Sequence, residues 1–202
     1  MIQNKAGRPR AFDRSEALLS AMHVFWKQGY DAASIKDLTQ AMGINSPSLY
    51  SVFGDKRKLY LEAINCYATI DACAPLVVFE TEPDINQAVR SFMIAVIDYS
   101  TANGSGAKGC FLSSSVATSA GEVEGAQELL QRAVLDTDAR LSRRFELEKA
   151  RGVLPANFPS SARAKLMFDI RQGYVFRARA GFESESMKQD VEYRVQVILA
   201  SP

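Results

Sequence analysis

The sequence has few of the side chains on which metal sites and many enzyme sites depend. Its 202 residues include one histidine, His23, and three cysteines, Cys66, Cys73 and Cys110. A single imidazole excludes catalysis or metal binding that needs several. An odd, small number of cysteines excludes a disulfide framework and is typical of a reducing compartment. We therefore predict no metal, no cofactor and a cytoplasmic location.

Long apolar runs and nucleotide-binding loops are also missing. No apolar run exceeds a few residues and none follows the polar first residues, so we expect no signal peptide, no membrane span and no membrane partner. The glycine-rich stretch 104–109 lacks the Gly-Lys-Ser/Thr ending of a phosphate loop and is interpreted as a turn. Since no nucleophile elbow or paired-carboxylate motif occurs either, we do not expect an enzyme.

Charge is distributed unevenly along the chain. The net charge is only +1, which argues against a uniformly basic nucleic-acid coat protein. Residues 1–60, however, carry nine Lys and Arg against five acidic residues, a balance of +4, and the remainder carries fifteen against eighteen. A basic head on a mildly acidic body suits a localised contact with phosphates.

Apolar residues recur at spacings of three and four along most of the chain, and no segment alternates with a period of two. The first segment runs from Asp13, a capping residue, to Gly29, a natural stop. Further helices are predicted at 34–43, 46–53, from 55 towards Pro75, and at 84–102, 110–119, 122–150, 160–180 and 185–199. The apolar run 76–79 is too short to assign. The predicted fold is all-α with about nine helices.

The connection between the second and third helices, at 43–45, is as short as that of a helix-turn-helix motif. Such a motif places the N-terminal residues of its second helix against base edges in the major groove. Here those residues are Ser46, Pro47, Ser48 and Tyr50. Lys56, at the start of the next helix, is expected to neutralise a phosphate. Arg8 and Arg10 belong to a polar arm suited to a narrow minor groove. A helical bundle with a basic tail is the plainer alternative.

Four segments carry a family resemblance. They read Gly-Arg-Pro-Arg-x-Phe-Asp at 7–13, Ala-x-x-x-Phe-Trp-x-x-Gly-Tyr at 21–30, Ser-Ile-x-Asp-Leu at 34–38 and Ala-Met-Gly-Ile-x-x-Pro-Ser-Leu-Tyr-x-x-Phe-Gly-Asp-Lys at 41–56. This pattern, nearly gap-free from about residue 7 to 67, resembles the DNA-binding region of the TetR/AcrR family of bacterial repressors. The resemblance implies a homodimer that binds a palindromic double-stranded DNA operator and is released by a small-molecule inducer.

The resemblance also assigns roles to single residues. Ser34, Tyr50 and Lys56 fall where phosphates are contacted, and Ser46, Pro47 and Ser48 fall where bases are read. It implies a helix-turn-helix domain with its basic arm at 1–55 and an effector-binding and dimerisation domain at 56–202. An activator of the same fold, a DNA-binding protein without a ligand, and a small all-α enzyme or lipid-binding protein are the alternatives.

The body supplies candidates for an effector pocket. They are inward-facing residues of the fourth to eighth helices, namely Tyr67, Phe92, Val96, Tyr99, Phe111, Phe168 and Tyr174. For each of them, plain core packing is the default interpretation. Cys110 is added because it follows Lys108 and opens a helix, two features that favour a thiolate.

The segment Gly109-Cys110-Phe111-Leu112 is similar to one in a subset of these regulators that includes electrophile- and copper-responsive members. Cys110 is accordingly either a sensor thiol or, as most free cysteines are, a small buried packing residue.

The last two helices are expected to form the dimer. Residues 173–181 resemble the penultimate helix of this subset, and Gly173 and Ala180 allow close helix approach. They would join apolar residues of the last helix in a four-helix interface, namely Met187, Val191, Val195 and Ile198. The arginine-rich stretch 140–151 alternates with acidic residues and is interpreted as a solvated helix face.

Overall fold

The computed structural model describes residues 12–70, 74–102 and 108–200, and within these ranges it contains helices and no strand. The helices are α1 (Arg14–Gln28), α2 (Ile35–Met42), α3 (Ser46–Phe53), α4 (Lys56–Thr69), α5 (Ala74–Thr81), α6 (Ile85–Ala102), a π-helical segment (Leu112–Val116) continuing into α7 (Ala117–Ser119), α8 (Ala126–Ala150), α9 (Ser160–Arg179), α10 (Ser184–Lys188) and α11 (Val191–Leu199). Nine of the helices in the described ranges have eight residues or more. The predicted all-α fold is confirmed.

The first four helices begin on side-chain caps, the first of them at the predicted residue Asp13. Asp13 accepts hydrogen bonds from the N–H groups of Ser15 and Glu16, at 2.7 and 3.0 Å. Ser34 opens α2, and Asp55 opens α4 by accepting the N–H of Lys58 at 2.8 Å. These oxygens satisfy backbone donors that have no partner within the helix, so each boundary is fixed locally.

Two elements differ from the sequence prediction. Residues 74–81 form α5, with Pro75 in the first turn, where its missing N–H costs nothing. The predicted helix 185–199 is divided into α10 and α11, because the Asp190 carboxylate accepts hydrogen bonds from Tyr174 at 3.1 Å and from Arg194 at 2.7 Å. The contact from Tyr174 on α9 is tertiary, whereas the effect of Pro75 is local.

An aromatic cluster joins the first helix to the body. Phe25 and Trp26 of α1 contact Tyr60 and Tyr67 of α4, with ring centroids 4.8 and 5.3 Å apart. Phe111 lies 5.6 Å from the ring of Tyr67. All five side chains are buried. The helix-turn-helix head and the body therefore share a core across the predicted boundary at 55/56, which stays a prediction.

The interpretation of 140–151 as a solvated face is wrong for two residues. Arg144 and Glu148 are 6% and 2% exposed and form an ion pair of 2.8 Å. Arg144 also donates to the carbonyls of Phe79 and Glu82, each at 2.7 Å. It thereby satisfies carbonyl groups at the end of α5 and in the turn that follows.

Against expectation, one stretch has the length and composition of a membrane span. It is Lys56–Thr81, which comprises α4, α5 and the four residues between them. One third of its most apolar window is buried within the chain. Core helices of globular proteins meet the same criterion, and α4 carries five buried side chains, so this is weak support for a span.

Candidate nucleic-acid interface and ligand cavity

A tight reversal joins α2 to α3. Gly43 has a φ of +64°, a left-handed conformation that glycine adopts without strain. The Ile44 N–H donates to the carbonyl of Thr39 at 3.1 Å and closes the end of α2. Asn45 then opens α3, since its side-chain oxygen accepts the Ser48 N–H at 2.9 Å. These bonds fix the angle between the two helices of the motif.

The outer face of α3 carries polar and aromatic groups. Pro47 and Tyr50 are exposed, Tyr50 by 52%. Ser51, which the sequence analysis did not select, is exposed one helical turn from Pro47. Ser46 and Ser48 are half-buried. The opposite face is anchored by two buried apolar residues, Leu49 and Phe53. The helix thus presents hydroxyl groups and an apolar ring to the outside.

Ser34 is committed to the structure of α2. Its hydroxyl donates to the Asp37 carboxylate at 2.6 Å and accepts the Asp37 N–H at 3.1 Å. Hydrogen bonds from the Ser34 side chain and backbone lower the pKa of Asp37. The hydroxyl has one proton and gives it to Asp37 in the DNA-free protein, so a bond donated to a phosphate would require a change of partner. The predicted phosphate contact of Ser34 stays a prediction.

Lys56 is held at the start of α4. Its ammonium group lies 4.5 Å from the ring centroid of Tyr30 and donates to the carbonyl of Asp31 at 3.3 Å. Both contacts leave the positive charge in place and restrict the side chain. Arg8 and Arg10, the predicted minor-groove contacts, lie outside the described residues.

A cavity of about 300 Å³ lies between α4, α5, the π-helical segment, α8 and α9. Its wall includes the buried side chains of Leu76, Leu112 and Arg171 and the half-buried Phe168. Exposed polar side chains surround its mouth, namely Asn65, Thr69, Arg132 and Asp136. The volume lies at the lower end of the range for ligand pockets. Of the predicted effector residues, Phe168 contributes to this wall.

A second cavity of about 10 Å³ has room for about one water molecule. Four predicted effector residues line it, namely Tyr67, Val96, Tyr99 and Cys110. Arg171 also lines it, and is therefore common to both cavities. Burial raises the pKa of Tyr67 well above its ordinary value, with a further rise from Cys110.

Three predicted effector residues line neither cavity and belong to the core. Phe92 packs edge-on against Phe79, with ring centroids 6.0 Å apart. Phe111 lies in the aromatic cluster, and Tyr174 is buried with its hydroxyl donating to Asp190. Burial is also the main cause that raises the pKa of Tyr174. At these positions core packing is the correct interpretation.

Sequence reasoning missed Arg171 and two polar neighbours in the cavity wall. Ser113 donates to the side-chain oxygen of Gln172 at 2.5 Å, which links the π-helical segment to α9. Arg171 falls on the buried stripe of α9, four residues after Met167 and three before Tyr174. The sequence signal that could have identified Arg171 is a charged residue on an otherwise apolar, buried face of the helix.

Cys110 is 2% exposed, whereas the neighbouring Lys108 is exposed to solvent. Cys110 lines the small cavity. This burial agrees with a packing role, and its contact with a cavity leaves the sensor hypothesis open to experiment.

Four predicted dimer contacts are buried within one chain. Met187, Val191, Val195 and Ile198 are at most 4% exposed, on helices that pack against α6 and α9. Their assignment to a dimer interface is therefore corrected to the intramolecular core. Phe176 of α9 and Tyr193 of α11, by contrast, are 74% and 69% exposed. Gly173 and Ala180 share a helical face with Phe176, since they are three and four residues from it.

The capped reversal and outward-facing α3 define a helix-turn-helix DNA-binding protein, and comparisons with known proteins agree. The family model described as "Bacterial regulatory proteins, tetR family" matches residues 17–63. The chain is 29% identical over 191 residues to the HTH-type transcriptional repressor ComR of Escherichia coli (strain K12), covering 93% of this chain and 90% of that protein.

Solved structures extend the likeness to the whole fold. A cysteine mutant of the TetR-family regulator CifR, complexed with a 26-base-pair operator, gives a TM-score of 0.86 at 29% identity over 96% of this chain and 100% of that one. A protein from Rhodococcus sp. RHA1 assigned to the TetR regulators is 30% identical, with a TM-score of 0.59 over 94% of this chain and 100% of that one. The chain belongs to the TetR family of transcriptional regulators and is not an enzyme.

Proposed function

We propose that this regulator is a repressor that binds a palindromic operator as a homodimer and leaves it when a small molecule enters the 300 Å³ cavity. The observation that carries the proposal is the exposed outer face of α3, a helix whose start is fixed by a side-chain cap. The body of the same chain contains a cavity of a size that suits a small ligand. The proposal is supported by the similarity to the repressor ComR and to CifR, which was solved in complex with its operator. Such a protein acts in the cytoplasm.

In the operator complex, we assign base reading to Ser46, Pro47 and Ser48 and phosphate contacts to Tyr50 and Lys56. Pro47 offers an apolar surface to a thymine methyl group, and the hydroxyl groups can bond base edges. Ser51 joins this set because it is exposed beside Tyr50. The basic arm with Arg8 and Arg10 would enter the neighbouring minor groove.

For the dimer, we assign the outward faces of α9 and α11. Phe176 and Tyr193 are the two most exposed large hydrophobic side chains in the described ranges, and both are aromatic. Side chains of this kind are enriched at protein interfaces. A Cβ built on Gly173 would meet no atom of this chain within 4 Å, so a partner helix could approach closely there. Two-fold pairing would place two basic heads on one duplex.

A direct mechanical link connects the cavity to the head. Leu112 and Ser113 line the cavity, and Ser115, in the same π-helical segment, donates to the carbonyl of Phe25 at 3.0 Å. Phe25 is in the last turn of α1. A ligand that displaces the segment would therefore move the end of α1 and with it the helix-turn-helix.

Fluorescence anisotropy with a duplex from the chain's own promoter region tests DNA binding. We expect tight, salt-sensitive binding by the dimer, because several phosphates are neutralised at once. Affinity no better than for a random duplex at the same salt concentration would contradict the proposal.

A second candidate is regulation through the Cys110 thiol, which is favoured by its position in the wall of the small cavity beside Arg171. Mass spectrometry after limiting maleimide treatment, combined with DNA release, tests it. Modification of Cys110 that releases DNA, and its loss in Cys110→Ser, are expected. An unmodified Cys110, or release that is unchanged in the serine variant, would end this hypothesis.

A further inference from the structure

Two arginines are buried in the described part of the chain, and they differ in their partners. Arg144, 6% exposed, has Glu148 and four backbone carbonyls as acceptors. Arg171, 8% exposed, contacts the Phe168 ring at 5.8 Å, and among the described residues it donates no hydrogen bond and forms no ion pair. A guanidinium has five N–H donors, and leaving them unpaired in a buried site is costly.

Arg171 borders two cavities, and among the described residues no carboxylate lies at ion-pair distance from it. It lines the large cavity beside Leu112 and Phe168, and it lines the small cavity beside Tyr67. The Tyr67 hydroxyl is itself buried and has no hydrogen-bond partner in the described ranges. Arg171 is therefore an unpaired donor group that borders both cavities.

The other charges of the large cavity lie at its mouth. Arg132 and Asp136 are exposed residues of α8 with opposite signs. Of the cavity's charged side chains, Arg171 is therefore the one that is withdrawn from solvent. A group that enters to satisfy it must bring acceptor atoms, and a negative charge satisfies it best.

We propose that the effector is a small organic monoanion, with an apolar body in the 300 Å³ cavity and a carboxylate bound by Arg171. This assignment gives the ligand class for the proposed function and rests on that function for its effect on DNA. The binding step itself is independent of DNA.

The test is isothermal titration of the full-length protein, without DNA, with benzoate, 2-naphthoate and octanoate and with the primary amide of each. Each pair differs in charge and has the same apolar body. We expect at least one carboxylate to bind at one site per chain and about tenfold or more tightly than its amide, as hydrogen bonds to a charged group predict.

Two variants test whether Arg171 is the residue that binds the carboxylate. Arg171→Gln should weaken carboxylate binding by about tenfold or more and leave amide binding unchanged. Arg132→Gln, at the mouth of the same cavity, is the matched control and should change carboxylate binding less than about threefold, because exposed charges are screened. No preference for any carboxylate, or equal effects of the two variants, would overturn the proposal.

Thermal unfolding separates ligand binding from a structural role. If Arg171 awaits a ligand, Arg171→Gln should unfold at the same or a higher temperature, since a buried, unpaired charge is removed. A lower unfolding temperature together with equal loss of carboxylate and amide binding would show that Arg171 only supports packing. Failure of operator binding in the anisotropy experiment would affect none of these results and would count against the repressor proposal alone.

Discussion

The side chains of Tyr50 and Lys56 differ in how much they are exposed and in how firmly they are held. Tyr50 projects from α3 with half of its surface exposed, while Lys56 is held by the Tyr30 ring and the Asp31 carbonyl. A restrained cation loses little side-chain entropy when it meets a phosphate, so its contribution to binding is expected to be large for a single surface charge.

Replacing either residue by alanine should weaken binding to operator and random duplexes alike, because phosphate contacts carry no sequence information. Lys56→Ala should also lower the slope of log affinity against log salt by about one. Fluorescence anisotropy over a salt series measures both. The control is Lys165→Ala, an exposed lysine of the body. An equal loss in the control would contradict the assignment.

The stability of the body is expected to depend on Arg144. Removing it leaves the buried Glu148 carboxylate with Arg151 as its remaining partner and deprives the end of α5 of its cap, so Arg144→Ala should cost about 3 kcal/mol of unfolding free energy. Arg143→Ala, at the exposed neighbouring position, should change it by less than about 0.5 kcal/mol. Urea denaturation measures the difference, and similar values for the two variants would contradict the prediction.

At the scale of helices, an ion pair joins α5 to α8. Arg140 donates to both carboxylate oxygens of Glu80, at 2.7 and 2.6 Å. This hydrogen bonding lowers the pKa of Glu80 below its ordinary value of 4.5. The pair therefore stabilises the ionised form in the folded chain, and it joins two helices that border the large cavity.

The contribution of this pair should depend on pH. Because the folded pKa is lowered, the stabilisation is fully present above the ordinary pKa of Glu80 and is lost as the pH falls through the folded value. Glu80→Gln should cost about 0.5–1 kcal/mol at neutral pH and less near pH 3. Unfolding free energies at the two pH values test this. Glu122→Gln, an exposed control, should show no such change.

Helix boundaries could be predicted where a side chain and its own backbone decide them. Asp13, Ser34 and Asp55 cap their helices with oxygens three or fewer residues away, so the sequence contains the whole interaction. The division between α10 and α11 could not be predicted, because Tyr174 contributes to it from another helix.

The same distinction applies to the sites. Tyr50 could be placed because the motif and its turn are local, whereas a cavity is the space left between five packed elements. Inward residues that line a cavity and inward residues that fill the core, such as Phe168 and Phe92, carry the same helical spacing. Arg171 was the exception, since its charge is inconsistent with a buried stripe.

For the whole molecule, the outward faces of α9 and α11 determine the proposed assembly. Phe176→Asp should give a monomer in analytical ultracentrifugation, because each protomer would bring a carboxylate into the interface at the two-fold axis. Operator affinity should fall as a result. Val153→Asp, another apolar surface position that is 58% exposed, is the control. A dimer that survives in Phe176→Asp would contradict this interface.

The aromatic cluster has a consequence for how the chain unfolds. Phe25 and Trp26, two of the largest core residues in the head, complete their packing only on Tyr60, Tyr67 and Phe111. A fragment ending at residue 55 would leave these two rings in water. The DNA-binding head is therefore not an autonomous folding unit, and head and body should melt together in a single cooperative transition.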